Sequence, residues 1–175
     1  MTTFLLMRHG APDFSGPDKW TGRGGDLAPL TAAGEEQVVR QLGRIREFDP
    51  EIVISSPMTR ALQCALILRA GLSCPFKVEF DLHEWVPDRS FQWRGIEDVK
   101  RLQAEFYRLN GEWPPGETRP WEPQSSVRSR GLTVFRKYLG HKRVLAVCHG
   151  QIIKSVTSLD KEVDFASLVP LELTE

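Results

Sequence analysis

The sequence predicts a three-layer α/β/α sandwich with a mostly parallel central sheet. Two observations carry that prediction. Apolar runs of strand length alternate with segments of helical hydrophobic period. Two of those runs, Phe4-Leu5-Leu6-Met7-Arg8-His9-Gly10 and Val144-Leu145-Ala146-Val147-Cys148-His149-Gly150, also end alike, in a histidine followed by glycine. Sheets of this class bind ligands beyond the carboxyl ends of their strands, so the pair would deliver two imidazoles to one edge.

The elements follow in order. A first strand is expected over 3–7, then a long loop over 10–29 rich in Gly, Pro and Asp; loops of such length in compact domains are commonly functional. Thr31 has the hydroxyl of an N-cap for one helix running to about Phe48, with Val38, Leu42 and Ile45 on one face, and Asp49-Pro50 breaks it. A buried strand covers 52–55. Ser56-Pro57 then opens a helix, serine as cap and proline at the first position, with Ala61, Leu62, Ala65 and Leu66 as its stripe and Gly71 as its end. A third strand is expected over 78–82. Val99, Leu102, Phe106 and Leu109 mark a helix, and the prolines and glycines of 110–123 a loop. Val127, Gly131, Val134, Phe135 and Tyr138 mark another helix before a fourth strand over 143–148 and a helix from about Gln151. The run 168–173 reads as an edge strand, because Pro170 has no N–H for a ladder.

Bulk properties narrow the field. The 175 residues fit one domain, and no linker divides them. Basic and acidic residues balance at 23 each, which excludes a general affinity for nucleic acid or anionic membranes. No apolar run approaches the ~20 residues of a membrane span, and Arg8 ends the first apolar run too early for a secretory signal. Cys64, Cys74 and Cys148 lack the spacing of a zinc site or a disulfide framework, which points to free thiols in a reducing cytoplasm.

Arg8-His9, Ser55-Ser56-Pro57 with Arg60 one helical turn on, Glu84 and His149 all fall at the predicted carboxyl edge. Two arginines and an imidazole suit the charge that phosphoryl transfer spreads over three oxygens, without a metal, and helix starts near Pro57 and Gln151 add backbone donors. Cys148 adjoins His149, but neighbours on a strand face opposite ways, which argues against thiol catalysis.

These residues carry a family resemblance. Arg8-His9-Gly10 resembles the signature of the histidine phosphatase, or phosphoglycerate mutase-like, superfamily. Leu30-Thr31-Ala32-Ala33-Gly34-Glu35-Glu36-Gln37 resembles its LTxxGxxQ segment, and Ser55-Ser56-Pro57-Met58-Thr59-Arg60-Ala61-Leu62-Gln63 its SSPxxRAxQ segment. Leu82-His83-Glu84 falls at its LxE acid and Cys148-His149-Gly150 at its second histidine. The resemblance implies a phosphoglycerate mutase-like fold. It implies His9 as a transiently phosphorylated nucleophile, Arg8, Arg60 and His149 as phosphate ligands, and Glu84 as the acid that protonates the leaving oxygen and then activates water. Neither metal nor cofactor is implied.

The chain departs from the pattern after Gly10, where Ala11-Pro12-Asp13-Phe14-Ser15 puts Ser15 in the place of a phosphate-binding asparagine. That departure and the short chain turn the reading from the mutase subgroup toward a small phosphatase branch. All five tryptophans, Trp20, Trp85, Trp93, Trp113 and Trp121, lie in loops that would choose the substrate. They divide between covering the core and lining an aromatic wall for a small organic phosphate. Arg23, Arg89, Arg94 and Arg119 offer charge for a second anionic group, and His83 adjoins the acid. His141, at a helix end, reads as a surface residue. The expected activity is metal-independent hydrolysis of a phosphomonoester. The alternatives are a phosphoglycerate mutase, a protein phosphohistidine phosphatase, or a catalytically silent phosphate binder.

Overall fold

The computed structural model describes residues 1–174. Its sheet holds β1 (Thr2–Arg8), β2 (Ile52–Ser55), β3 (Phe76–Val78), β4 (Arg143–Cys148) and β5 (Leu168–Leu173) in the order β3-β2-β4-β1-β5. All neighbours are parallel except β5, which runs antiparallel to β1 and closes the edge with Pro170.

Alternate residues of the central strands enter opposite cores. Phe4, Leu6, Ile52, Ile54, Val144 and Ala146 pack against α4 (Ile96–Arg108), α5 (Gln124–Arg136) and α6 (Gly150–Val156). Met7, Val53, Leu145 and Val147 pack against α1 (Ala32–Val39), α2 (Leu42–Phe48) and α3 (Thr59–Arg69). The three layers and the mostly parallel sheet are those the sequence predicts.

Three elements differ from expectation. The helix expected from Thr31 to Phe48 is two, parted at Arg40 and Gln41; the weak helix formers Val38, Val39 and Gly43 flank the break. The third strand lies at Phe76–Val78, and 80–82 form a 3₁₀ turn. The reason is the shortness of β2: Glu79 N–H takes Ser55 O at 2.9 Å, and beyond Ser55 no ladder partner exists. The helix expected from Pro57 begins at Thr59, with Met58 at the N-cap. Ser56 Oγ instead takes the Met58 N–H at 3.3 Å and faces a histidine described below.

Because β4 lies between β1 and β2, the chain leaves three adjacent strands at His9, Ser56 and His149. A backbone contact fixes the first exit. A Cβ on Gly10 would stand 2.3 Å from Gly34 O, and one on Gly34 would stand 2.3 Å from Ala11 O. The glycines of RHG and LTxxG thus meet each other, and no side chain fits between them.

Candidate active site

His9 is 3% exposed and His149 wholly buried, their ring centroids 5.0 Å apart. Nδ1 of His9 is 2.7 Å from Gly10 O, which only accepts, so Nδ1 carries the proton and Nε2 the lone pair. Arg60, from the first turn of α3, donates Nε–H to that lone pair at 3.1 Å. Its Nη2 lies 3.4 Å from His149 Nδ1, and His149 Nε2 lies 2.7 Å from Ser56 Oγ. A guanidinium only donates, so Nδ1 of His149 accepts and Nε2–H donates to Ser56. Burial holds both imidazoles well below their ordinary pKa, and the Arg60 cation pushes the same way. Both rings are neutral at pH 7.

Arg60 also donates to Gly25 O at 2.7 Å and Met58 Sδ at 3.2 Å. Arg8 donates Nη1–H to Val163 O at 2.6 Å and lies 4.0 Å over the Phe165 ring, while its buried Nε has no partner among the described residues. The partners of both guanidiniums are carbonyls, a thioether and imidazoles, not carboxylates. Two cations held in this way form a site for an anion.

Glu84 faces this cluster from the loop after the 3₁₀ turn. Its Oε1 accepts N–H from Trp85 at 2.9 Å and Gln151 at 3.2 Å. Arg130 of α5 holds that loop by its carbonyls, donating Nη1–H to Asp81 O at 2.6 Å and His83 O at 2.7 Å, and Nη2–H to Glu84 O at 3.3 Å. The same guanidinium grips both oxygens of Glu122 at 2.8 and 3.0 Å. Burial works against the Glu122 carboxylate, yet the Arg130 fork outweighs it and holds its pKa below the usual range.

A cavity of about 500 Å³ opens beside the cluster and reaches it at Arg60 and Glu84, while the two imidazoles are not part of its lining. Phe14, Trp20, Phe80, Trp85, Phe91 and Trp93 wall it. Trp121 is instead wholly buried in the core with Trp113 against it. His83 lines the cavity and donates Nδ1–H to Glu84 O at 2.8 Å.

The structure thus brings Arg8, His9, Arg60, Glu84 and His149 together. It does not bring Ser15, which is exposed and donates its N–H to Asp13 Oδ1 at 2.8 Å. Three of the loop arginines are engaged elsewhere. Arg23 pairs with Asp26 at 3.4 Å and covers Phe91 at 3.9 Å. Arg89 covers Trp113 at 4.4 Å, and Arg119 pairs with Glu105 and Glu117. Arg94 meets Asp98 through its backbone N–H. The four do not converge on one second anionic subsite: Arg23 lines the cavity described above and the other three do not. Arg130, Glu122 and Phe165 went unread in the sequence, where nothing but a charge pair eight residues apart marks the first two. Cys148 is fully buried and its thiol pushed up by burial, and Cys64, pushed up to about 12, accepts the Gly10 N–H at 3.3 Å. Among the described residues no three His, Cys, Asp or Glu side chains are grouped to hold a metal, and no helix is long and apolar enough to cross a membrane.

A parallel sheet whose carboxyl edge gathers two histidines, two arginines and a carboxylate defines the phosphoglycerate mutase-like class. Within it, the sequence matches the histidine phosphatase superfamily, branch 1, over residues 4–174, and the chain belongs to that superfamily. The uncharacterized phosphatase PhoE of Bacillus subtilis (strain 168) is 29% identical over 160 residues, 89% of this chain and 76% of that protein. Among solved structures, Bacillus stearothermophilus YhfR superposes with TM-score 0.76 at 21% identity, over 99% of this chain and 92% of that one. A mycobacterial glucosyl-3-phosphoglycerate phosphatase complexed with VO3 superposes with TM-score 0.74 at 19% identity, over 98% and 91%.

Proposed function

We propose that the protein is a single-domain, metal-independent phosphatase that hydrolyses a small organic phosphomonoester through a phosphohistidine on His9. The hydrogen bond from His9 Nδ1 to Gly10 O carries this reading, because it aims a neutral Nε2 lone pair into a pocket of two guanidiniums. Substrate phosphate takes Arg60 from His9 and fills the empty Arg8 Nε. Nε2 attacks phosphorus, the P–O bond to the alcohol breaks, and the Glu84 carboxyl gives a proton to the departing oxygen. Water then attacks the phosphohistidine, Glu84 takes its proton, and inorganic phosphate leaves a neutral imidazole.

His149 contributes a donor after one tautomer change. The Ser56 hydroxyl both donates and accepts, so it can turn its O–H to donate a hydrogen bond to the unprotonated Nε2 of the tautomer whose Nδ1–H faces the phosphate. The phosphatase name of the Bacillus subtilis relative supports hydrolysis as the outcome. Walls of tryptophan beside the site count against a protein substrate, and an intact set of nucleophile, cations and acid counts against a silent binder.

Brief reaction with a chromogenic aryl phosphate followed by denaturation at high pH should trap an acid-labile phosphoryl group on the peptide carrying His9. His9→Ala should lose both the trapped group and turnover. Wild-type turnover in His9→Ala would overturn the mechanism. A phosphoenzyme that outlives many turnovers and returns its group to product would assign a mutase.

A further inference from the structure

Resting on that phosphatase reading, we propose that the natural ester carries an uncharged ring system on its alcohol, seated in the aromatic cavity, and no second anionic group. The position of the cavity gives its purpose. It meets the cluster at Arg60 and Glu84. Glu84 marks where the leaving oxygen must lie, so whatever hangs from that oxygen enters the cavity.

The walls determine what can enter. Phe14 and Trp20 form one pair at 4.5 Å between centroids, and Phe91 and Trp93 another at 5.7 Å. The indole N–H of Trp20 is taken by Phe14 O at 3.0 Å and that of Trp85 by Glu122 O at 2.7 Å. Neither is left to bind a polar group, so these tryptophans offer the guest apolar ring. Flat rings stack on such walls, and about 500 Å³ accommodates a bicyclic group with its linker.

Charge decides against a second anion. The cavity cations beyond Arg60 are Lys19 and Arg23. Lys19 lies 3.5 Å from Asp18, and Arg23 is held both by Asp26 and by the Phe91 face. A carboxylate on the substrate would have to draw Arg23 from both partners while lying unhydrated against aromatic carbon. His83 is the polar exception. Its Nδ1–H is fixed on Glu84 O, which leaves Nε2 an acceptor for a hydroxyl or N–H on the ring.

The test compares three esters of primary alcohols, so that leaving-group chemistry is shared: naphthylethyl phosphate, propyl phosphate and phosphoglycerate. The expected kcat/KM for the naphthylethyl ester exceeds that for propyl phosphate at least about tenfold, with phosphoglycerate no better than propyl phosphate. Trp20→Ala and Trp93→Ala should each reduce the naphthylethyl-to-propyl ratio severalfold. Equal rates for naphthylethyl and propyl esters, a preference for phosphoglycerate, or ratios unmoved in both variants would overturn the inference while leaving the phosphatase reading intact. Failure to turn over any ester, a chromogenic aryl phosphate included, would overturn the phosphatase reading and the inference with it.

Discussion

Arg60 and His9 share one hydrogen bond, Nε to Nε2 at 3.1 Å, and it occupies the lone pair assigned to attack phosphorus. The same guanidinium that covers this nitrogen also depresses the ring's proton affinity, second only to burial. Arg60→Gln should therefore raise the His9 pKa but leave it below the ordinary imidazole value, because burial remains. Imidazole NMR titration reads this directly, and an unmoved or lowered His9 contradicts it.

The depressed histidines also set a stability window. Unfolded, both imidazoles bind protons near pH 6.5; folded, both resist protonation to well below that value. The unfolded chain therefore binds more protons as pH falls through about 6.5, and stability present above that pH is lost below it. Thermal unfolding should show Tm falling between about pH 7.5 and about pH 5.5, and less steeply in His149→Gln. A slope unchanged by that substitution sinks the assignment.

Glu84 is proposed to protonate the leaving oxygen, so its loss should depend on what leaves. Glu84→Gln should cut kcat for an alkyl phosphate by about 10²–10³-fold and for a nitrophenyl ester by about tenfold or less. Equal losses on both esters would remove the acid from the mechanism.

Arg130 and Glu122 are a buried pair, the side chains 12% and 8% exposed. Arg130→Met leaves Glu122 charged without its fork and two loop carbonyls, Asp81 O and His83 O, without a donor. The expected loss is about 3–5 kcal/mol in urea unfolding. Adding Glu122→Gln should recover part of it, since the stranded charge is then gone; no recovery would mean that the carbonyl contacts carry the whole effect.

The glycines divide by what surrounds them. Gly34→Ala drives a Cβ into Ala11 O and should lower stability and activity together, because Ala11 lies two residues beyond His9. Gly43→Ala, with nothing within 4 Å in the first turn of α2, should stabilise by up to about 1 kcal/mol with activity unchanged. Activity surviving in a folded Gly34→Ala protein would show that the Gly10–Gly34 approach does not position His9.

Much of this was legible in the sequence, for a physical reason. Strands β1 and β4 announce themselves by apolar runs ending in His-Gly, and the edge character of β5 by Pro170. The convergence of Arg8, His9, Arg60, Glu84 and His149 follows from placing such strand ends on one sheet edge. What stayed hidden depends on contacts between distant residues. Glu79 stops β3 only because β2 ends at Ser55. Arg130 reaches three carbonyls of a loop 46 to 49 residues earlier in the chain. The sequence does not show that three of the loop arginines have partners in Asp26, Trp113 and Glu105.

Strand β1 has a further consequence for how the protein comes into being. Its ladder partners are β4 and β5, and the groups that fix its end also come late: His9 N–H takes Cys148 O, Arg8 N–H takes Ser167 O, and Ala166 N–H takes His9 O. The strand that presents Arg8 and His9 is thus paired wholly by residues far later in the sequence. Folding therefore leaves His9 on an unpaired strand until β4 and β5 dock, and the cluster around it assembles only when these distant segments meet.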